Sequence, residues 1–346
     1  MSLRGRLERW LDGIWYGGAP VPRSLAALEP LYRRMAAPMA RPSERPPVPV
    51  IVVGNLVAGG SGKTPVVIAL VRLLAGQSHA VAVISRGYGG RGTRRPRRVG
   101  MDDRAAEVGD EALEIAAATA QPVWVARRRR AALQAAIESG AEVIVADDGL
   151  QHAALPRSLE ICVIDARRGF GNGRQLPAGP LRQSRRRLES VDLVLLRCVA
   201  ASTDTPIDTT IDTTIDPASE QLERLAPAAM RFEIRSGPVE PADPTAPELP
   251  EPPLAIDAVA GISDPIPFFE GLEARGYSVR RHRFADHQAI PERWLTRLAG
   301  PVVTTAKDLA RMRPYCRNDL YVLPLQALLP AAAVDQVLAH VREFRA

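Results

Sequence analysis

The chain has 346 residues, enough for two domains of ordinary size, and 46% of them are hydrophobic while only 5% are aromatic. It carries 45 Lys and Arg against 39 Asp and Glu, which gives a net charge of +6. No apolar stretch reaches the roughly 18 residues of a membrane-spanning helix. The N-terminus lacks the apolar run of a signal peptide, and three isolated cysteines argue against a disulfide framework or a zinc site.

The first 40 residues predict two amphipathic helices. Apolar residues recur at helical spacing in both, and arginines lie largely off the first apolar face. Tryptophans beside basic residues are typical of a helix that lies in a membrane interface, and the alternative is a helix packed on the core. The residues that carry the pattern are Leu3, Leu7, Trp10, Leu11, Ile14 and Trp15, then Leu25, Leu28, Leu31, Tyr32 and Met35.

The strongest motif is the glycine-rich stretch 54–64, which lies between an apolar strand at 48–53 and a helical pattern at 66–74. Strand, glycine-rich loop, Gly-Lys-Thr and helix is the arrangement of a phosphate-binding P-loop. In this interpretation Lys63 reaches the β- and γ-phosphates of ATP and the Thr64 hydroxyl holds Mg²⁺. The remaining residues of the ATP-binding loop are Gly59, Gly60, Ser61 and Gly62.

Two details bear on that interpretation. Only Lys63 and Lys307 are lysines among the 45 basic residues, and arginine cannot replace a compact ammonium in a tight phosphate loop. The strict motif has glycine where this chain has Val57, so a plain glycine-rich turn is the alternative.

Apolar strands then alternate with helical patterns along the chain. Strands are predicted at 80–84, 122–126, 141–146, 159–164 and 191–196. Repeated βα units predict an α/β fold, a P-loop NTPase-like doubly wound parallel sheet with helices on both faces.

The chain divides into four predicted parts. Residues 1–40 form the amphipathic helices, and 41–237 form the P-loop domain with a surface insertion at the repeat 207–216. Residues 238–253 hold seven prolines and predict a linker. Residues 254–346 predict a second, smaller α/β domain with strands at 255–262 and 301–305 and a final helix.

Three acidic or histidine positions stand out. Asp147 and Asp148 follow a buried strand, where a carboxylate can reach Mg²⁺, although such pairs also simply begin loops. Asp110 stands at a probable helix start, and the sequence alone favours a capping role for it over a catalytic one. His287 follows Asp286, and an isolated histidine is more often structural than catalytic.

Together these motifs resemble those of tetraacyldisaccharide 4'-kinase, the lipid A 4'-kinase family of Gram-negative bacteria. They occur in the family's order and the resemblance covers about residues 1–345. The segments are 53–65, 84–89, 108–111, 147–152, 165–173, 176–182, 284–287 and 304–308.

The resemblance implies ATP- and Mg²⁺-dependent phosphorylation of the 4'-hydroxyl of a tetraacylated glucosamine disaccharide 1-phosphate. It implies a peripheral protein on the cytoplasmic face of the inner membrane, with a lipid substrate and no nucleic-acid partner. Asp110 would accept the hydroxyl proton with assistance from His287, and Asp147 and Asp148 would serve the metal. Residues facing the lipid headgroup would be Ser85, Arg86, Tyr88, Gln151, His152 and Arg182. Gln183 departs from the pattern, since the family has an acidic residue there.

Other classes of P-loop protein remain as alternatives. A partitioning-type NTPase switch carries a signature lysine at the position of Ala58, and a GTPase needs an Asn-Lys-x-Asp motif that 305–308 does not supply. An ATP-dependent ligase of the dethiobiotin-synthetase type would not need an amphipathic helix with Trp10 and Trp15. A nucleic-acid-dependent ATPase would use the arginine clusters at 91–98, 127–130 and 185–187, which lack interleaved aromatic residues.

Overall fold

A computed structural model describes residues 3–36, 44–91, 95–100, 102–198, 226, 228–262, 265–285, 288, 290–312 and 317–345. The predicted insertion at 207–216, Asp286 and His287 lie outside the described residues. The chain forms two compact units. The first comprises Met1–Val83, Ile137–Ile234 and Ala327–Ala346, and the second comprises Ile84–Ala136 and Arg235–Gln326.

From residue 50 onward the described elements are strands with helices between many of them. The strands are β1 (Val50–Gly54), β2 (Val81–Ser85), β3 (Arg97–Arg98), β4 (Val123–Val125), β5 (Val143–Asp147), β6 (Leu159–Asp165), β7 (Leu193–Cys198), β8 (Met230–Ser236), β9 (Glu240–Pro241), β10 (Ala255–Ala260), β11 (Ser278–Arg283), β12 (Val302–Thr305), β13 (Leu320–Leu323) and β14 (Leu325–Leu328). The α-helices are α1 (Leu3–Trp15), α2 (Arg23–Met35), α3 (Lys63–Gly76), α4 (Ala105–Val108), α5 (Asp110–Thr119), α6 (Arg129–Glu138), α7 (Ile266–Glu273), α8 (Glu292–Leu295), α9 (Ala306–Met312) and α10 (Ala331–Arg345), with a 3-10 helix at Arg185–Ser190.

The sheet of the first unit runs in the order β8-β7-β6-β1-β5-β2. The pairings of β1 with β5 and β6, of β6 with β7 and of β7 with β8 are all parallel. Every residue of β1, β2, β5 and β6 is buried, which explains their continuous apolar runs. Since β1 has β5 on one side and β6 on the other, its carboxyl end lies at the switch point where such sheets bind ligands. The predicted fold class is confirmed.

The second unit contains its own sheet in the order β11-β10-β12-β13-β9. Its strands pair in parallel except for β9, which is antiparallel to β13. Phe268, Phe269 and Leu272 of α7 pack with the buried residues of β10 and β12. The strands β3 and β4 of this unit form a short antiparallel pair. The predicted smaller α/β domain is therefore present.

The unit boundaries differ from the four predicted parts. Residues 84–136 belong to the second unit, whereas the C-terminal helix α10 belongs to the first. Residues 238–253 are more than a linker, since they contain β9 and Leu249, which is buried in the second unit's core. A linker prediction from proline content does not detect the packing of this segment against the second unit's core.

The N-terminal helices α1 and α2 form as predicted. Ile14 is buried, whereas Leu7 and Trp10 of α1 are about half exposed. Leu31 and Met35 of α2 are more exposed still. None of the helices among the described residues is both long enough and apolar enough to cross a membrane.

Candidate active site

The phosphate loop joins β1 to α3, and its own residues determine its conformation. Gly59 and Gly62 have φ of +105° and +86°, conformations that side chains rarely adopt. A Cβ on Gly62 would lie 2.6 Å from Ile234 Cδ1. The buried Asn55 donates through Nδ2 to Gly59 O (3.3 Å) and to Ser61 Oγ (3.1 Å). The loop therefore has a fixed turn in front of the N-terminus of α3, where backbone N–H groups favour anions.

A segment that we call the strap (residues 172–183) pairs with this loop. Val57 and Leu181 form an antiparallel bridge, and Ala58 N donates to Pro180 O at 2.8 Å. Val57 is buried in that pairing. The departure from glycine at Val57 thus has a structural account, because this position pairs with the strap.

The strap is also held by the N-terminal helices. Side chains of α1 and α2 bind it chiefly through its backbone and through one ion pair. The contacts are Trp15 Nε1 to Pro177 O (3.1 Å), Tyr32 Oη to Arg182 O (3.2 Å), Gln175 N to Glu29 Oε1 (2.9 Å) and Arg174 Nη2 to Glu29 Oε2 (2.8 Å). The helices are therefore part of the support of the site.

Charged side chains gather where β5 ends. Asp147 is buried at the last position of β5, opposite Val53 of β1. Asp148 has φ of +49° and its Oδ1 lies 3.6 Å from Lys63 Nζ. Arg182 Nη1 donates to both Asp148 oxygens at 3.0 and 3.1 Å. The structure thus brings together the predicted lysine, the second aspartate and the predicted headgroup arginine.

The predicted metal ligands are of the chemical type that binds magnesium. Mg²⁺ is usually bound by one or two carboxylates together with substrate phosphates. Asp147 and Asp148 supply such donors where β5 ends, and the Thr64 hydroxyl supplies one at the start of α3. Across the part of the chain that the structure describes, no group of three or more His, Cys, Asp or Glu could hold an ion alone. Gln183 offers only a neutral oxygen, which accepts from Gln151 Nε2 at 3.3 Å.

The loop that carries Gln151 and His152 is tied down by charges that the sequence analysis missed. Arg157 donates to the carbonyls of Leu155 (3.0 Å) and His152, and to Glu160 Oε1 (2.9 Å). Both side chains are buried, and Glu160 also accepts from Arg187. The sequence feature that could have indicated this cluster is a glutamate within the apolar strand β6. Gln151 itself donates to Asn55 O at 2.7 Å.

In the second unit, Asp110 is the first residue of α5. The N-cap position is Gly109, so the capping interpretation of Asp110 is wrong. Oδ1 of Asp110 accepts from Glu111 N at 3.0 Å, and Oδ2 accepts from Arg311 Nε (2.9 Å) and Nη2 (2.6 Å). A Cβ on Gly109 would lie 2.5 Å from Tyr88 O, which fixes the predicted headgroup turn beside Asp110.

Arg311 is part of a buried network that includes the 304–308 motif. Its Nη1 donates to Gly261 O and to Asp308 Oδ1, both at 2.9 Å. Asp308 also accepts from Gly261 N (2.8 Å) and Thr305 Oγ1 (2.7 Å). Burial raises the pKa of Asp308, although these donors oppose the shift. The motif therefore positions the partner of Asp110, and the role of His287 stays a prediction.

The predicted site residues fall into both units. The first unit holds Gly59, Gly60, Ser61, Gly62, Lys63, Thr64, Asp147, Asp148, Gln151, His152 and Arg182, and the second holds Ser85, Arg86, Tyr88 and Asp110.

The sequence profile described as tetraacyldisaccharide-1-P 4'-kinase matches residues 21–342. The chain belongs to this family. A tetraacyldisaccharide 4'-kinase of Stenotrophomonas maltophilia is 40% identical over 92% of each chain. One of Alcanivorax borkumensis is 38% identical over 96% of this chain and 98% of the relative. Membership in the tetraacyldisaccharide-1-P 4'-kinase family makes the chain a kinase of lipid A biosynthesis.

The fold agrees with that of a solved family structure. The "apo" form of LpxK from Aquifex aeolicus in complex with ATP matches with a TM-score of 0.63. It is 23% identical and the match covers 99% of both chains. The likeness supports the α/β architecture over the whole chain.

Proposed function

We propose that this kinase transfers the γ-phosphoryl group of ATP to the 4'-hydroxyl of tetraacyldisaccharide 1-phosphate. The observation that supports it most is the grouping of Lys63, Asp148 and Arg182 beside the phosphate loop, in a chain of this family. Phosphoryl transfer requires positioning and neutralisation of phosphate charge more than covalent chemistry by the protein.

The first unit would bind the nucleotide. Backbone N–H groups of the phosphate loop bind the phosphates, and Lys63 neutralises their charge. Asp147, Asp148 and Thr64 would hold Mg²⁺, which when bound neutralises charge on the transferring group. Asp148 would also orient Lys63 and Arg182, to which it is already paired.

Asp110 would act as the base, assisted by His287. As the new O–P bond forms, the 4'-hydroxyl loses its proton to the Asp110 carboxylate and ADP leaves. Arg311 holds this carboxylate in one orientation through two N–H groups. A fixed orientation supports that role, because a catalytic base must be held within hydrogen-bond reach of the proton that it takes.

The lipid would be bound at the surface of the inner membrane on its cytoplasmic side. Exposed apolar side chains of α1 and α2 support that location, because they suit the boundary between headgroups and acyl chains. Ser85, Arg86, Tyr88, Gln151, His152 and Arg182 would then line the part of the site that faces the phosphorylated headgroup.

Transfer of radiolabelled γ-phosphate to tetraacyldisaccharide 1-phosphate in detergent micelles tests the proposal. Wild type should form product, and Lys63→Ala should not. Lys63→Arg keeps the positive charge but replaces the compact ammonium. It should also form no product, which would show that the charge alone is not enough. Asp110→Ala should lose turnover while ATP binding survives. Folded, ATP-binding wild type that forms no product would refute the proposal and favour the switch or ligase alternatives.

A further inference from the structure

Arg168 follows β6 and packs against the end of α1. Its Cζ lies 4.8 Å from the centroid of the Tyr16 ring, within the range of a cation–π contact. Its Nη2 lies 3.8 Å from Asp12 Oδ1. The ring and the carboxylate thus both approach the guanidinium from the side of the N-terminal helix.

The same guanidinium reaches the phosphate loop. Its Nη1 lies 3.5 Å from the position that a Cβ would take on Gly59. Gly59 has φ of +105° and no side chain, so nothing from that residue separates the guanidinium from the backbone of the loop. The charge of Arg168 therefore lies next to the peptide groups that would cradle a phosphate.

The ion pair with Asp12 does not lock Arg168 in place. At 3.8 Å, with both side chains partly exposed, such a pair contributes little to stability. A guanidinium presents several donors in a fixed fork that suits phosphate oxygens better than a single carboxylate oxygen at this distance. By contrast, Lys63 and Arg182 are both engaged with Asp148.

We propose that Arg168 binds the terminal phosphate of ATP over Gly59, and that Tyr16 and Asp12 are positioning residues that aim it. The inference rests on the proposed function in taking ATP as the nucleotide. An arginine supplied from the same chain stabilises negative charge on a transferring phosphoryl group. The N-terminal helix α1 would then have a second role, because it directs a phosphate-binding side chain as well as meeting the lipid.

Nucleotide binding measured by calorimetry tests this, with Mg²⁺ present and lipid absent. Arg168→Ala should weaken ATP about 10- to 100-fold, as expected for a lost charge-assisted hydrogen bond, and ADP less than about threefold. Tyr16→Leu should shift the ratio of ATP to ADP affinity in the same direction by a smaller factor. Arg186→Ala is the control, since Arg186 is an exposed arginine of the same unit, and it should leave both affinities unchanged.

Arg168→Lys guards against a folding artefact, because it keeps a positive charge on a chain of similar length. It should melt close to wild type and still show a reduced ATP-to-ADP affinity ratio. Equal losses for ATP and ADP, or no loss for either, would overturn the proposal and leave Arg168 as support for α1. If wild type failed to phosphorylate the lipid, the proposed function would be refuted, but the ratio of ATP to ADP affinity would not change. The two results are therefore distinguishable.

Discussion

Replacing Glu160 by glutamine tests the buried charge cluster behind the Gln151 loop. Glu160 is fully buried in β6 and accepts from Arg157 Nη1 at 2.9 Å and from Arg187. Glutamine keeps the shape of the side chain but removes its charge. Two guanidinium groups would then face each other across a neutral amide in a buried place.

The magnitude follows from the burial of the pair. Removing one partner of a buried ion pair costs about 3–5 kcal/mol, because the remaining charge has lost its counter-ion. For a unit of this size each kcal/mol lowers the melting temperature by about 2–4 °C, so we expect a fall of about 6–20 °C. Loosening of the Arg157 contacts to Leu155 O and His152 O should also raise the KM for ATP, since Gln151 binds Asn55 O of the phosphate loop.

Urea unfolding followed by circular dichroism measures the free energy, and thermal melting gives the second readout. Arg186→Ala is the control, since Arg186 belongs to the same arginine run but is exposed. We expect it to change stability by less than about 0.5 kcal/mol. If Glu160→Gln were as stable as the control, the cluster would contribute no net stabilisation and our reasoning would fail.

Three further changes have defined outcomes. Asn55→Ala removes two hydrogen bonds inside the phosphate loop and should cost about 2 kcal/mol of folding stability, and it should weaken ATP binding because the loop turn is no longer fixed, measured by thermal melting and calorimetry. Gly62→Ala should weaken ATP binding in the same assay, because alanine is strained at a φ of +86° and its Cβ would displace the end of the Ile234 side chain; binding at wild-type strength would contradict the loop geometry. Burial and neighbouring carboxylates raise the pKa of Glu114 from 4.5 to about 8, so the folded state holds an extra proton between those values. Stability should therefore fall as pH rises through that window, and Glu114→Gln should reduce this fall in melting temperatures taken at pH 5 and pH 9.

Much of the fold could be predicted because the strands of a parallel sheet are buried on both faces. The run at 141–146 became β5 (Val143–Asp147), and 159–164 became β6 (Leu159–Asp165). The phosphate loop could be predicted equally well, since its glycines and lysine lie in one short stretch. Patterns within a few consecutive residues can be recognised without knowing which distant residues they contact.

The partners of the site residues could not be predicted in the same way. Asp110 binds Arg311, which is 201 positions away in sequence, and no local pattern connects them. The bond between Arg182 and Asp148 likewise depends on the strap returning to β1. Capping was a reasonable interpretation of Asp110 from helix rules alone, but the chain places Gly109 at that position.

The attachment of α1 and α2 to the strap has a practical consequence for anyone who shortens this chain. Trp15, Glu29 and Tyr32 hold the strap, and the strap in turn pairs with the phosphate loop at Val57. Trimming the first 36 residues to obtain an easier protein to purify would remove the side chains that hold the strap beside the phosphate loop. Compounds screened against the trimmed enzyme would be selected on a phosphate loop and strap that lack this support.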